Sequence, residues 1–191
     1  MRNINDRLQE MTDKIASGQV IESTNLGNEI NFRVFDYDTE DEYVVRDYLY
    51  NYLLKRNKNI QVFDIYNIIV DILKEKGFLE KTFEYEKKKG AKFVNSIIQK
   101  TLVISSNNDL IIKYIKDHFK KEDGKIIIIT GMGKCYGIVR GHTILNNLQS
   151  VITENPVIMF YPGTYDGQTF RLFNKLENDN YYRAFQLVSR K

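Results

Sequence analysis

Apolar residues follow two rhythms along this chain of 191 residues, and the rhythms lay out its elements. Ile4, Leu8, Met11 and Ile15 form one narrow apolar stripe, which predicts a helix over 3–17 that Gly18 ends. A loop to Asn28 follows. Ile30, Phe32, Val34 and Phe35 then predict a strand running into Asp36-Tyr37-Asp38. Thr39 and Glu42 have the spacing of a capping box, so a helix should begin there. Val44, Val45, Tyr48, Leu49, Tyr52 and Leu53 repeat at helical spacing until Asn57-Lys58-Asn59 breaks the pattern. Ile60, Val62, Phe63 and Ile65 predict a second strand, and this strand–helix–strand length fits a right-handed parallel crossover.

The stretch over about 67–119 reads as a helical insertion: Ile68 through Leu73, Phe83 to Leu102, and Asp109 to Phe119, with Gly77 and Gly90 as interruptions. Two further strands are expected at Lys125 to Thr130 and Val157 to Tyr161, separated by a glycine turn and an amphipathic segment. The segments Thr169 to Phe173 and Tyr182 to Val188, with turn residues Asn178-Asp179-Asn180 between them, predict an antiparallel hairpin at the sheet edge. The pattern therefore specifies a single α/β domain over 1–191. Its expected form is a mostly parallel central sheet in a Rossmann-like three-layer arrangement, with a helical insertion and a C-terminal edge hairpin.

Composition narrows the classes. A net charge of +3, from 28 Lys+Arg against 25 Asp+Glu, is too small to argue for direct nucleic-acid binding. The run Lys87-Lys88-Lys89 reads as a solvated helix face. No apolar run reaches the ~20 residues that span a bilayer, and the first residues lack the apolar middle of a secretory signal. One cysteine, Cys135, excludes an internal disulfide framework. These features predict a cytoplasmic protein with no membrane partner.

Chemistry is expected where a strand ends in glycines before a helix, because α/β folds place ligands there. Gly131, Gly133 and Gly137 lie at that point, with Lys134 between them. A phosphate loop would need glycine at the position of Ile128, and Ser or Thr where Cys135 stands. A dinucleotide turn fails because its last gap is one residue too long. A degenerate anion site on backbone amides and Lys134 remains open, as does the alternative that the glycines serve close packing. Cys135 and His142 are separated by about 10 Å of helix rise, a poor dyad. Asp36, Asp38 and Asp64, near the ends of the first two strands, are weak acidic candidates for a magnesium or ribose site. No zinc set and no nucleophile elbow exists, so no catalytic residue, metal or cofactor is assigned. Tyr161, Pro162, Gly163, Tyr165 and Arg171 combine a Pro-Gly turn with residue types that anchor interfaces, and they are the expected partner-binding segment.

Thr130-Gly131-Met132-Gly133, Tyr136-Gly137 and Arg140, then Phe160-Tyr161-Pro162-Gly163-x-Tyr165 and Phe170-Arg171-Leu172-Phe173, resemble the BrxB family over nearly the whole chain. That family is a small component of the bacteriophage-exclusion (BREX) defence systems. The chain departs from it in having Tyr161 where Phe is frequent and Phe170 where Tyr is common. The resemblance implies a non-catalytic adaptor whose direct partner is the alkaline-phosphatase-like PglZ. The methyltransferase PglX and the ATPase BrxC would act in the same system, and DNA would be engaged only indirectly. The alternative is a nucleotide- or anion-binding module, or an enzyme, using Gly131, Gly133, Lys134, Gly137 and Arg140.

Overall fold

The computed structural model describes residues 2–22, 31–104, 109–121, 125–177 and 184–191. Ile30 and the Asn178-Asp179-Asn180 turn lie outside the described residues. Helices α1 (Ile4–Ala16) and α2 (Gln19–Glu22) lead to strand β1 (Phe32–Tyr37). A 3-10 turn (Thr39–Asp41) opens α3 (Glu42–Asp47), which widens into a π-helix (Tyr48–Leu53) and closes as α4 (Leu54–Arg56). Strand β2 (Ile60–Asp64) follows, then α5 (Ile65–Glu75), α6 (Leu79–Lys89), α7 (Ala91–Leu102) and α8 (Leu110–His118). Strand β3 (Ile126–Thr130), a 3-10 turn (Met132–Cys135), α9 (Gly141–Leu148) and β4 (Val157–Tyr165) come next. Short strands β5 (Phe170–Leu172), β6 (Leu176–Glu177) and β7 (Phe185–Gln186) complete the described elements.

The sheet path is β2-β3-β4-β1-β7, all parallel, with β5 added antiparallel to β4 and β6 antiparallel to β5. Period-two alternation decides which side chain faces which layer. Ile127, Ile129, Val157 and Met159 pack on one face with α5, α7, α8 and α9. Ile126, Ile128, Ile158 and Phe160 pack on the other with α1 and α3. A central strand therefore has to be apolar at every position, as the four consecutive isoleucines of β3 are. The result is the expected three-layer α/β arrangement with a mostly parallel sheet.

The parallel relation of β1 and β2 is as expected, with β3 and β4 lying between them. Several local expectations are corrected. Ile65 opens α5, because Asp64 caps that helix by accepting from the Asn67 amide. Thr39 makes no cap. The carboxylate of Glu42 instead accepts the buried Tyr37 hydroxyl at 2.7 Å.

The Pro162-Gly163 pair is not a turn, because β4 runs straight through it. Gly163 has φ 154°, and a Cβ there would strike the backbone carbonyl oxygen of Arg171, so only glycine lets β5 pair so closely. The C-terminal antiparallel hairpin is formed by β5 and β6 through a tight turn. Phe173 (φ 55°) and Asn174 (φ 59°) are both left-handed there, and the Lys175 amide bonds to the Leu172 carbonyl. The segment holding Phe185 pairs instead in parallel with β1.

Candidate functional site

At the carboxyl ends of β1, β3 and β4 the chain fills its own crevice. Asp36, wholly buried, accepts from Arg7 (3.1 Å), Arg190 (2.7 Å), Gln186 (3.3 Å) and the Tyr165 amide (3.1 Å). Arg190 reaches on to Asp38 at 2.8 Å and to the Gly163 carbonyl at 2.6 Å. Arg7 also holds the carbonyls of Val188 and Ser189. This network locks α1, β1, β4 and the C-terminal residues together. Asp38 accepts as well from Asn174, and although burial opposes it, these partners hold its carboxyl below the usual range. Asp36 and Asp38 are thus engaged as structural ion-pair partners.

Asp64 lies elsewhere. It is separated from Asp36 by two intervening strands, or about 14 Å at the usual inter-strand spacing, so the three acids do not converge. Its carboxylate caps α5 and binds Lys134 at 2.7 Å.

The glycine turn explains itself on this side. Gly131 has φ 82°, and a Cβ there would strike the Asp64 carboxylate. A Cβ on Gly133 would lie 3.0 Å from the Pro162 ring and 3.2 Å from that of Phe173. A cleft of about 400 Å³ remains above, between Tyr43 and Arg46 of α3, Lys134 and Phe173.

The far side of the same turn is open. Gly137 has φ 83°, and the Asn95 amide of α7 occupies the space a Cβ would need, 2.6 Å away. Gln99 holds the carbonyls of Gly137 and Ile138 at 3.2 and 2.9 Å. Between α7 and this loop lies a cavity of about 690 Å³ whose lining includes Arg140 and Tyr161. The structure therefore splits the five candidate ligand residues: Gly131, Gly133 and Lys134, the last held by Asp64, border the smaller cleft, whereas Gly137 and Arg140 border the larger cavity.

Cys135 is buried, and burial with the nearby Asp64 charge pushes its thiol up to about 12. Among the described residues no group of three or more His, Cys, Asp or Glu is placed to hold a metal ion, and no helix is long and apolar enough to cross a membrane.

The expected partner-binding segment is corrected by burial. Tyr161 and Tyr165 are each 1% exposed, Pro162 and Gly163 are buried, and only Arg171 is exposed. The Tyr165 hydroxyl bonds both the carbonyl and the amide of Ala184. These aromatic residues are core, and their run reads as core once β4 is known to extend through Gly163. Exposed tyrosines gather instead around the carboxyl edge, a placement no spacing along the chain indicated. They are Tyr43 (76%), Tyr136 (56%), Tyr66 and Tyr50. Arg46 sits 5.1 Å from the Tyr43 ring, Lys134 5.6 Å from that of Tyr66, and Tyr136 packs edge-on to Phe173 at 6.2 Å. Sequence reasoning also missed Arg7 and Arg190. Arg7 left a signal, since it stands four residues before Met11 on the apolar stripe of α1.

Comparison with known proteins matches this sequence to a family. The family model described as BREX protein BrxB matches residues 61–187. A BREX protein BrxB of Bacillus cereus (strain H3081.97) is 45% identical over the whole of both chains. Another from Escherichia coli O9:H4 (strain HS) is 34% identical over 95% of this chain and 90% of its own. No solved structure shows a significant match. With the family model covering residues 61–187 and a relative 45% identical over the whole of both chains, the chain belongs to the BREX protein BrxB family.

Proposed function

We propose that the protein is a non-catalytic adaptor of a BREX antiphage assembly that docks a PglZ-like partner and thereby supports host DNA methylation and phage restriction. Its relatives carry the name of a BREX component. The observation that carries the adaptor reading is the double use of the carboxyl edge. The acids and the lysine that a ligand site would need there are paired with each other or with arginines, while the rim around them presents exposed tyrosines. Tyrosine and arginine are enriched at interface hot spots because they bury a large rigid body and keep a polar tip. PglX and BrxC act with this pair in the same system, and DNA is reached through them.

Co-expression with the neighbouring PglZ-like protein, followed by size-exclusion chromatography, tests the reading. A stoichiometric complex is expected. Tyr43→Ala with Tyr136→Ala should weaken it by more than tenfold, a loss typical of hot-spot truncation, while the variant melts as the parent does. A complex that survives this double change removes the tyrosine rim as the contact. No association between two folded proteins removes the adaptor reading.

A further inference from the structure

The cavity between α7 and the loop before α9 carries charge of one sign. Lys92, Lys175 and Arg140 line it, together with Asn95, Ser96 and Tyr161, and none of its lining residues is an Asp or Glu. None of the three cations makes an ion pair among the described residues. Arg140 is also the N-cap residue of α9 and makes no side-chain cap bond, and the positive end of the helix adds to the field.

An independent observation points to a ligand. Tyr161 is 1% exposed, yet its hydroxyl has no hydrogen-bond partner among the described residues. Leaving a buried hydroxyl unpaired costs about 1–3 kcal/mol. Four residues along the same strand the fold does satisfy such a group, since the equally buried Tyr165 hydroxyl has two partners. A bound group that reaches Tyr161 would offset the cost.

Size and shape limit the occupant. A volume of about 690 Å³ lies within the ordinary range for small-molecule sites and far exceeds a single inorganic phosphate. Three cations converging on one concavity match several negative charges, and an arginine fork suits phosphate oxygens. Asn95 offers both a donor and an acceptor to the rest of the molecule. The wall is pinned by Gln99, so the site does not have to be assembled on binding.

We propose that this cavity binds a phosphate-bearing small molecule of nucleotide size, with its phosphates on Lys92, Arg140 and Lys175 and its inner end on the Tyr161 hydroxyl. The cavity borders the tyrosine rim at Tyr136, which also lines it, and the assignment does not rest on the adaptor reading.

Isothermal titration of the full chain with ADP, and separately with inorganic pyrophosphate, tests the assignment. Saturable ADP binding at one site is expected. Lys175→Glu, at an exposed position, should weaken it more than tenfold. Tyr161→Phe removes only the partnerless hydroxyl and should weaken it about fivefold, the worth of one net hydrogen bond. Pyrophosphate bound as tightly as ADP would support the site and restrict recognition to the phosphates, whereas weaker pyrophosphate binding would show that the organic body is read as well. Absence of binding by both probes would overturn the proposal, and so would ADP binding that neither variant weakens.

Discussion

Asp36 and Tyr161 stand opposite each other in the β1–β4 register, both buried, and the fold treats them in opposite ways. Asp36 is met by two arginines, an amide side chain and a backbone N–H. The Tyr161 hydroxyl has no hydrogen-bond partner among the described residues. The difference separates a region finished during folding from one left incomplete. On the Asp36 side, charge serves to fasten the ends of the chain to the sheet. On the Tyr161 side, charge lines a cavity and is not spent on the protein itself.

Four measurements would break or sharpen that contrast. Asp36→Asn should be the most damaging, because it leaves the buried Arg7 without its counter-charge; removing one partner of a buried pair costs about 3–5 kcal/mol, read by urea denaturation. A loss below about 1 kcal/mol would mean that the network is not structural. Tyr165→Phe should cost about 1–3 kcal/mol, since it strands the amide and carbonyl of Ala184 in the interior.

The third effect depends on pH. Burial, with the charge of Arg140 adding to it, lowers the His142 pKa below its ordinary 6.5. The native state then binds fewer protons than the unfolded chain, so stability is full above 6.5 and declines as pH falls through the window beneath it. His142→Asn should flatten that slope in thermal melts between about pH 7 and 5, whereas an unchanged slope would assign it to other groups. The smallest loss, none, belongs to Tyr161→Phe. Deleting a hydroxyl that has no partner should leave stability unchanged or raise it, by at most about 1–3 kcal/mol, the cost of an unpaired buried hydroxyl. A loss comparable to that of Tyr165→Phe would show that the hydroxyl is satisfied within the fold.

Legibility from sequence followed the range of the forces involved. The parallel strands and the helices between them were readable because burial on a given layer is written in local periodicity, as in Ile126 to Ile129. The hairpin's first strand was readable in Thr169 to Phe173, but its partner is β6 and not the segment holding Phe185. Asn174 is a single residue that favours the left-handed region, whereas Asn178-Asp179-Asn180 carries three turn residues in a row. Capping at Thr39 failed because Tyr37 and Glu42 had a better use for each other. The partner segment failed because Phe160 to Tyr165 has the composition of an interface and also that of a core, and only burial separates the two.

The sequence by itself determined the layered α/β architecture, the lack of a phosphate-loop or dinucleotide signature, and the family. These depend on residue type at fixed spacing, which chain connectivity preserves. Tertiary structure decided which glycines serve packing and which border a cavity. It also decided that Asp36 and Asp38 are structural, and that tyrosines from α3, the π-helix, α5 and the β3–α9 loop share one rim. Those outcomes require residues as far apart as Arg7 and Arg190 to meet across the sheet. Such meetings follow from strand order, and no local pattern in this chain encodes the order β2-β3-β4-β1-β7.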